Sequence, residues 1–481
     1  MTVLLYVACT APKITRIEPD ARVDTGGPPL APCDEATFTG EPQAWTFPEA
    51  LSASDFQTPG DVADCDGGPS RSWDLWDVDG DGVDDLVVTR DCEDANVGDD
   101  RWRVYLAERN GFGDAEDWDL PGGFSALAFD TPARDEATCT FGSNLPAYFV
   151  RDFDGDARPD LVSTRECVDV STGDAWWRVY PNTGAGFGAA QRWPLPSGFA
   201  AYTFETPARA LESCSFGTNM PAFGLVDLDG DARPDLVTTD ECVDLDVGVD
   251  YWHVWTNEGT GFSVTPLAWT VPVGYQPFAL TVDVARCANG DFAPAHGLLD
   301  LDADGHLDFV SPSDCLDPDV GSTHWNFHRN DGARFAATRT PWPVPGGYAA
   351  GTFTRTHRDV PDCSSGSPAF ALSELDEDGR ADLLVTADCT GSTLGDTHWR
   401  VHDNDGAAFV NTPRQVFLPT GYSVYAFELP PRTSPSCAGA ANRPAWTLTD
   451  LDGDTRRDIV VTGPCEGDVS AWQVHWNACP F

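Results

Sequence analysis

One acidic loop is written six times in this chain. It reads D-x-D-x-D-x-x-x-D followed by an apolar pair, and its copies start at Asp77, Asp152, Asp227, Asp300, Glu374 and Asp450. Successive starts lie 75, 75, 73, 74 and 76 residues apart. A fixed long period means one structural unit repeated and stacked, not a string of unrelated domains. Within each loop, carboxylates at positions 1, 3, 5 and 9 and the carbonyl of position 7 can converge on one hard cation. Ca²⁺ takes roughly six to eight oxygens at about 2.3–2.6 Å in a flexible cage, which suits many carboxylates and few waters. Glycine at position 4 or 6 permits the sharp turn this needs. The loops are not EF-hands, because the bidentate Glu at position 12 is missing and strand-like residues follow.

The expected Ca²⁺ ligands, about six ions in all, are therefore Asp77, Asp79, Asp81, Val83 and Asp85 in loop one. Loop two supplies Asp152, Asp154, Asp156, Arg158 and Asp160, and loop three Asp227, Asp229, Asp231, Arg233 and Asp235. Loop four supplies Asp300, Asp302, Asp304, His306 and Asp308. Loop five has Glu374, Asp376, Asp378, Arg380 and Asp382, and loop six Asp450, Asp452, Asp454, Arg456 and Asp458. In each set the residue at position 7 offers only its carbonyl.

Net charge is −48, with 77 acidic against 29 basic residues, so nucleic acid is not expected as a partner. Six Ca²⁺ would leave −36. The charge does not imply disorder, because 41% of residues are apolar and 17 are Trp.

Twelve of the 15 cysteines fall into pairs phased with the repeat: Cys65/Cys92, Cys139/Cys167, Cys214/Cys242, Cys287/Cys315, Cys363/Cys389 and Cys437/Cys465. Each pair brackets one loop. No C-x-x-C zinc spacing occurs, so disulfides in an oxidising compartment outside the cytosol are expected. A second register, joining each later Cys to the first of the next repeat, such as Cys167 to Cys214, is nearly as periodic. Cys33 and Cys479 flank the array, and a bond between them would tie its ends. Cys9 is left over. It follows a short apolar run, and Val7-Ala8-Cys9 resembles the lipobox of bacterial lipoproteins, which implies lipidation of Cys9; a truncated or ordinary secretory leader is the alternative. Residues 10–32 read as a polar tether.

From Cys33 to Phe481 the chain is one array. Each unit shows four short runs alternating at period two, the pattern of strands, and no run has helical periodicity. Four strands per unit match one propeller blade. The expected fold is all-β: a six-bladed β-propeller, one calcium loop per blade, closed between its N- and C-terminal strands. Trp102, Trp177, Trp252, Trp325, Trp399 and Trp472 open the third strands. Trp45, Trp118, Trp193, Trp269 and Trp342 occupy the fourth, with Phe417 in the last copy. A residue present in every blade reads as core filling rather than as a sugar-stacking row.

The loop D-x-D-G-D-x-x-x-D-L, the strand W-x-V-x-x-N and the turn G-x-G-F resemble the FG-GAP/VCBS repeats, over roughly residues 35–481. That resemblance implies a calcium-binding β-propeller used in adhesion or ligand binding, similar to the integrin α-chain propeller and bacterial surface proteins. Phe112-Gly113 and Phe187-Gly188 match the Phe-Gly element, whereas Phe262-Ser263, Phe335-Ala336 and Phe409-Val410 depart from it.

The function expected is a cell-surface or secreted binding module for a protein or glycan, not an enzyme. Structural surface component and polysaccharide lyase or hydrolase are the alternatives. No G-x-S-x-G, H-E-x-x-H or P-loop is present. All nine histidines lie from His253 onward. His328, His402 and His475 share one strand position and read as packing residues. His296 replaces an aromatic and is expected to open a pocket in the fourth unit. Asp94, Asp169, Asp244 and Asp317 read as a solvated rim, with a further cation as the other possibility. Ligand contacts are expected on the long connections near Cys139, Cys214, Cys287, Cys363 and Cys437, opposite the loops.

Overall fold

A computed structural model of the chain describes residues 37–478 apart from 49–50, 58, 61, 67–69, 141, 215–218, 276–277, 288–292, 377, 390–392, 430, 439–440, 455 and 466–469. Cys9, Cys33 and Cys479 lie outside the described residues. Among the described residues there is no α-helix, only a 3-10 turn at Ala53–Asp55.

The strands come in fours. Unit two comprises Ala147–Arg151, Asp160–Arg165, Trp176–Tyr180 and Gln191–Pro194, each antiparallel to the next. Units three, four and five repeat this plan, giving four separate four-stranded sheets. Unit one runs through Arg71–Trp76, Asp85–Asp91, Arg101–Glu108 and Gly111–Asp119. To its main sheet unit six contributes Ala445–Thr449, Asp458–Gly463 and Ala471–His475 from its own stretch of sequence, while Asn477–Ala478 pairs apart with Thr37–Phe38. Its fourth strand comes from the start of the chain: Gln43–Thr46 lies antiparallel to Ala471–His475, with Trp45 opposite Trp472. A single parallel bridge from Thr46 to Gly111 then merges this sheet with that of unit one into eight strands. The whole is an all-β, propeller-like arrangement.

The second strands show why the units stack. Leu86, Val87 and Val88 are consecutive and all buried, so both faces of the strand meet protein. One face packs on the unit before and the other on the unit after. Each hydrophobic cluster accordingly mixes two successive units. One joins Val87, Trp102 and Trp118 to Tyr148 and Leu161; another joins Trp45, Val460 and Trp472 of unit six to Trp73, Leu86 and Phe112 of unit one.

The tryptophans are the core, as their regularity suggests. Trp102 faces Trp118, Trp177 faces Trp193, Trp252 faces Trp269 and Trp325 faces Trp342 across the third and fourth strands. The Phe of the next unit's G-x-G-F turn presses edge-on against this pair. Phe187 meets Trp102 and Trp118, and Phe262 meets Trp177, at centroid separations of 5.4, 5.9 and 5.7 Å. Edge-to-face contact adds about 0.5–1.5 kcal/mol beyond burial. The Phe is thus the essential half of the Phe-Gly element, which explains why its follower varies among Gly, Ser, Ala and Val.

One assignment differs from the sequence reading. Trp399 faces Val416, not Phe417; Val416 is buried and Phe417 is 54% exposed. One residue of offset turns a strand side chain to the other face. The Phe of unit six is also supplied by the chain start: Phe38 meets Trp399 edge-on at 5.6 Å.

Candidate metal centres and connection face

Each acidic loop joins the first strand of a unit to the second. The turn is forced by two left-handed residues. Gly80 and Gly82 have φ of 83° and 89°, and in loop two Gly155 and Ala157 have 86° and 69°. In loops one to three position 4 is also confined by the loop that follows. In loop one an added Cβ would lie 3.2 Å from Arg158 Cγ, because position 7 of the following loop lies over it.

The backbone amides organise the carboxylates. Asp77 accepts hydrogen bonds from the N–H groups of Gly80, Asp81 and Gly82. Asp152 and Asp227 accept from positions 4 and 6 in the same way. The position-9 aspartates are the most deeply buried. Asp160 accepts N–H bonds from Phe153 and Asn182, and Asp235 from Leu228 and Asn257. Asp85, Asp308 and Asp458 repeat this, and Asp382 accepts from Asn404.

In loops one to three, positions 1, 3 and 9 each bring an oxygen within 4.8 Å of the others: Asp77, Asp79, Asp85; Asp152, Asp154, Asp160; Asp227, Asp229, Asp235. In loops four and five the groups are Asp300, Asp302, Asp304 and Glu374, Asp376, Asp378. Burial, with the neighbouring carboxylates adding to it, drives these groups toward protonation. It pushes Asp77 up to about 6, Asp85 and Asp160 to about 7, Asp308 and Asp458 to about 8 and Asp382 to about 9. Asp154 Oδ1 and Asp302 Oδ1 are buried and lack a hydrogen-bond partner among the described residues. Crowded, dehydrated acceptors without donors fit a hard divalent cation.

Position 5 behaves differently from the sequence reading. Its carboxylate accepts the N–H of position 7 in all six loops, from Val83, Arg158, Arg233, His306, Arg380 and Arg456. In loops two, three, five and six its other oxygen is paired with the position-7 guanidinium: Arg158 with Asp156, Arg233 with Asp231, Arg380 with Asp378 and Arg456 with Asp454. Loop one has Val83 there, so Asp81 has no such partner. Two further arginines lie over the clusters. Arg329 reaches Asp302 at 3.0 Å and Asp304 at 2.7 Å. Arg414 reaches Asp382 at 3.5 Å and Asp376 at 3.9 Å. No repeat phase marks these two, so the sequence pattern passes over them.

The asparagine of W-x-V-x-x-N latches one unit to the last. Asn182 Nδ2 donates to the carbonyl of Val78 in the preceding loop at 2.9 Å. Asn257, Asn330, Asn404 and Asn477 do the same to Phe153, Leu228, Leu301 and Leu375. Unit one has Ala107 at this position. Its seam with unit six is instead bridged by Thr449 Oγ1 donating to Asp84.

At the other ends of the same strands, six disulfides join Cys65–Cys92, Cys139–Cys167, Cys214–Cys242, Cys287–Cys315, Cys363–Cys389 and Cys437–Cys465. This is the within-repeat register, and it places the chain in an oxidising environment. The Cys33–Cys479 bond and Cys9 fall outside the described residues.

The histidines pack. His402 bonds the Val410 carbonyl and Tyr348 Oη, each at 2.8 Å; His475 bonds the Thr39 carbonyl and Tyr422 Oη at 2.8 and 3.0 Å. Unit three has Trp255 at this position and pairs it with Phe199. His296 opens no pocket. It is buried, stacks on Phe309 at 4.9 Å and bonds the Ala279 carbonyl at 2.9 Å. The reason is local: Val282 faces it, where Arg134, Arg209 and Arg358 face Tyr148, Phe223 and Phe370. Asp94, Asp169, Asp244 and Asp317 are not a free rim. Each caps a turn, and their outer oxygens meet Arg103, Arg178, Tyr251 and Arg339 at 2.7, 2.7, 2.8 and 3.6 Å. No described helix is long and apolar enough to cross a membrane.

No family model and no curated protein matches the chain. Among solved structures, the Photorhabdus luminescens Tc holotoxin pore is similar over 93% of this chain, at 14% identity and a TM-score of 0.49; the match spans only 15% of that chain. An Agrocybe aegerita lectin that recognises non-reducing terminal N-acetylglucosamine is similar over 81% of this chain and 74% of its own, at 15% identity and a TM-score of 0.40. A Penicillium chrysogenum α-L-arabinanase complexed with arabinobiose is similar over 92% and 97%, at 10% identity and a TM-score of 0.31. Likeness at this level carries no argument about activity.

Proposed function

We propose that this chain is a six-bladed, calcium-stabilised β-propeller of the FG-GAP/VCBS kind, closed by its N-terminal strand. It acts outside the cytosol as a binding module for a protein or glycan, without catalysis. The observation that carries this reading is the pooling of buried carboxylates at one end of the units, some with an oxygen that lacks a donor among the described residues. Those oxygens are committed to a cation and to the backbone, which leaves the connections at the opposite end for a partner. Bound Ca²⁺ supplies positive charge to the crowded carboxylates. Positions 1, 3 and 9 of loops one to three hold it, position 5 and the position-7 carbonyl complete the shell, and loop one has the freest position-5 group. Loops four and five bind more weakly, because Arg329 and Arg414 already lie over their acids. Six ions remain the expected full complement.

Equilibrium dialysis with elemental analysis tests this, and two or fewer Ca²⁺ per chain would defeat it. A glycan and protein screen at fixed millimolar Ca²⁺ then tests the binding role. Lipidation of Cys9 at a bacterial envelope surface is the proposed anchor; a Cys9→Ser chain that stays with the membrane would remove it.

A further inference from the structure

The connections depart furthest from the repeat at one place. Cys287 follows Tyr275 by 12 residues, whereas Cys139, Cys214, Cys363 and Cys437 follow Phe124, Phe199, Tyr348 and Tyr422 by 15. The connection into unit four is therefore three residues short. Beside it, between units four and five, lies an open depression of about 430 Å³. Val284 of the short connection, Ser313, Thr354, Arg355, Arg358 and Ser365 line it. It continues past both arginines to His357.

The neighbouring connection carries a matching change in charge. Elsewhere the connection arginine has an acid four residues before it. Asp130 pairs with Arg134 at 2.7 Å. Glu205 precedes Arg209, and Glu428 precedes Arg432. In unit five that position is Thr354, and a second arginine follows at once as Arg355. Arg358 Nε is buried and has no hydrogen-bond partner among the described residues, and the same holds for Arg432 Nε; what sets unit five apart is the missing acid and the second arginine. One acid shares the lining, Asp362, whose carboxylate accepts from Ser364 and Ser365; Asp359 lines the continuation and faces His357 at 3.9 Å. Two arginines against Asp362 leave the depression net positive on a chain of charge −48.

We infer that Arg355 and Arg358 hold the anionic group of an acidic sugar residue in this depression. A guanidinium pair recognises a carboxylate or sulfate through charge-assisted hydrogen bonds. The hydroxyls of Ser313, Thr354 and Ser365 suit the rest of a sugar ring, and the volume suits one or two residues. The acidic surface repels a long polyanion, but at about 0.15 M salt that repulsion fades beyond about 8 Å. The site therefore selects a single acidic residue on a short or otherwise neutral chain. This rests on the reading of the chain as a binding module.

The test is calorimetric titration of the full chain in millimolar Ca²⁺. The probes are galacturonate trisaccharide, a sulfated trisaccharide and a neutral trisaccharide. The wild-type chain binds one of the two acidic probes and not the neutral one; which of them binds identifies the anionic group. Thr354→Glu restores the acid that the other connections carry, and Arg355→Ala removes an arginine. Each lowers affinity about 10- to 100-fold, the scale of a lost charged hydrogen bond, with Ca²⁺ content and thermal stability unchanged. Equal binding by Thr354→Glu overturns the inference, as does an absence of acidic-probe binding by the wild-type chain. If the chain then binds some other glycan or protein, only this site is wrong and the binding-module reading stands.

Discussion

At the loop end of the units the same atoms repeat the same contacts up to six times, whereas at the connection end the units differ in length, charge and partner. Position-1 carboxylates gather amides, position-9 carboxylates tie the loop to the third strand, and five asparagines stitch each unit to the one before. At the other end one connection is short and one exchanges an acid for Thr354 beside a second arginine. Disulfides pin every connection of this end, so its variety is held on fixed anchors. Regularity marks the end that sets stability. Irregularity marks the end where recognition can be specific, since a ligand that touches one unit needs that unit to differ.

The largest expected effect is at the loop end. A ligand at 100 times its Kd adds about 2.7 kcal/mol per site, so stripping three well-formed loops removes about 8 kcal/mol. The pH dependence of the stripped protein gives the sign. Asp308, Asp382 and Asp458 titrate in the fold near 8, 9 and 8, far above an unfolded aspartate. Between about pH 4 and those values the fold holds protons that the unfolded chain has lost, so stability falls as pH rises. His402 and His475 are pushed down by burial, so their titration weighs on stability up to the range of an unfolded histidine, about 6.5, and little above pH 7.5. A comparison of pH 7.5 with pH 9 isolates the carboxylates. In EDTA the melting temperature falls over this step, and in Ca²⁺ it does not. A melting temperature that rises in EDTA would show that the carboxylates are not crowded against one another.

Much of this division was legible in the sequence. The loop register and the tryptophan rows follow from a period near 75 residues, because whatever recurs in every unit must serve the unit itself; the period left two cysteine registers, and the fold selects the one within each repeat. What the period hid is what occurs once. Phe38 sits seven residues before Trp45, the spacing of Phe262 to Trp269 and Phe335 to Trp342, but nothing local shows that it belongs to a unit more than 400 residues away. Arg329 and Arg414 reach the clusters from other strands, and such contacts have no signature in a repeat pattern. Val416 was misplaced because Phe417 is aromatic; the strand register, not residue type, decides which side chain faces the core.

Next in size is a staple at the connection end. Replacing Cys214 and Cys242 together by Ser opens a 28-residue separation. The chain-entropy model puts the loss at about 3 kcal/mol. Urea denaturation reads it. Ca²⁺ stoichiometry stays the same, since the bond lies at the opposite ends of the strands from loop three. A coincident loss of bound Ca²⁺ would mean that the two ends are coupled, and the division drawn between them would fail.

The smallest effect probes the seams of the loop end itself. Asn257 Nδ2 donates to the Phe153 and Pro234 carbonyls at 2.8 and 3.3 Å, and its Oδ1 accepts the Gly259 N–H at 3.0 Å. Asn257→Ala leaves these buried backbone groups without partners, at a cost of about 1–3 kcal/mol. The seam between units six and one never had this latch, since Ala107 stands there and Thr449 reaches Asp84 instead. Ala107→Asn is the reciprocal change. Because Gln43–Thr46 already ties the two ends of the chain through backbone hydrogen bonds, a new amide at position 107 adds little, within about 0.5 kcal/mol of zero, as for substitutions that disturb no existing feature. Denaturation midpoints of the two variants at saturating Ca²⁺ separate the cases. If Ala107→Asn stabilises as much as Asn257→Ala destabilises, the closing seam is an ordinary seam missing its latch. If the two effects are as unequal as expected, the pairing of Gln43–Thr46 with Ala471–His475 has made the latch redundant there, and the five latched seams depend on asparagine.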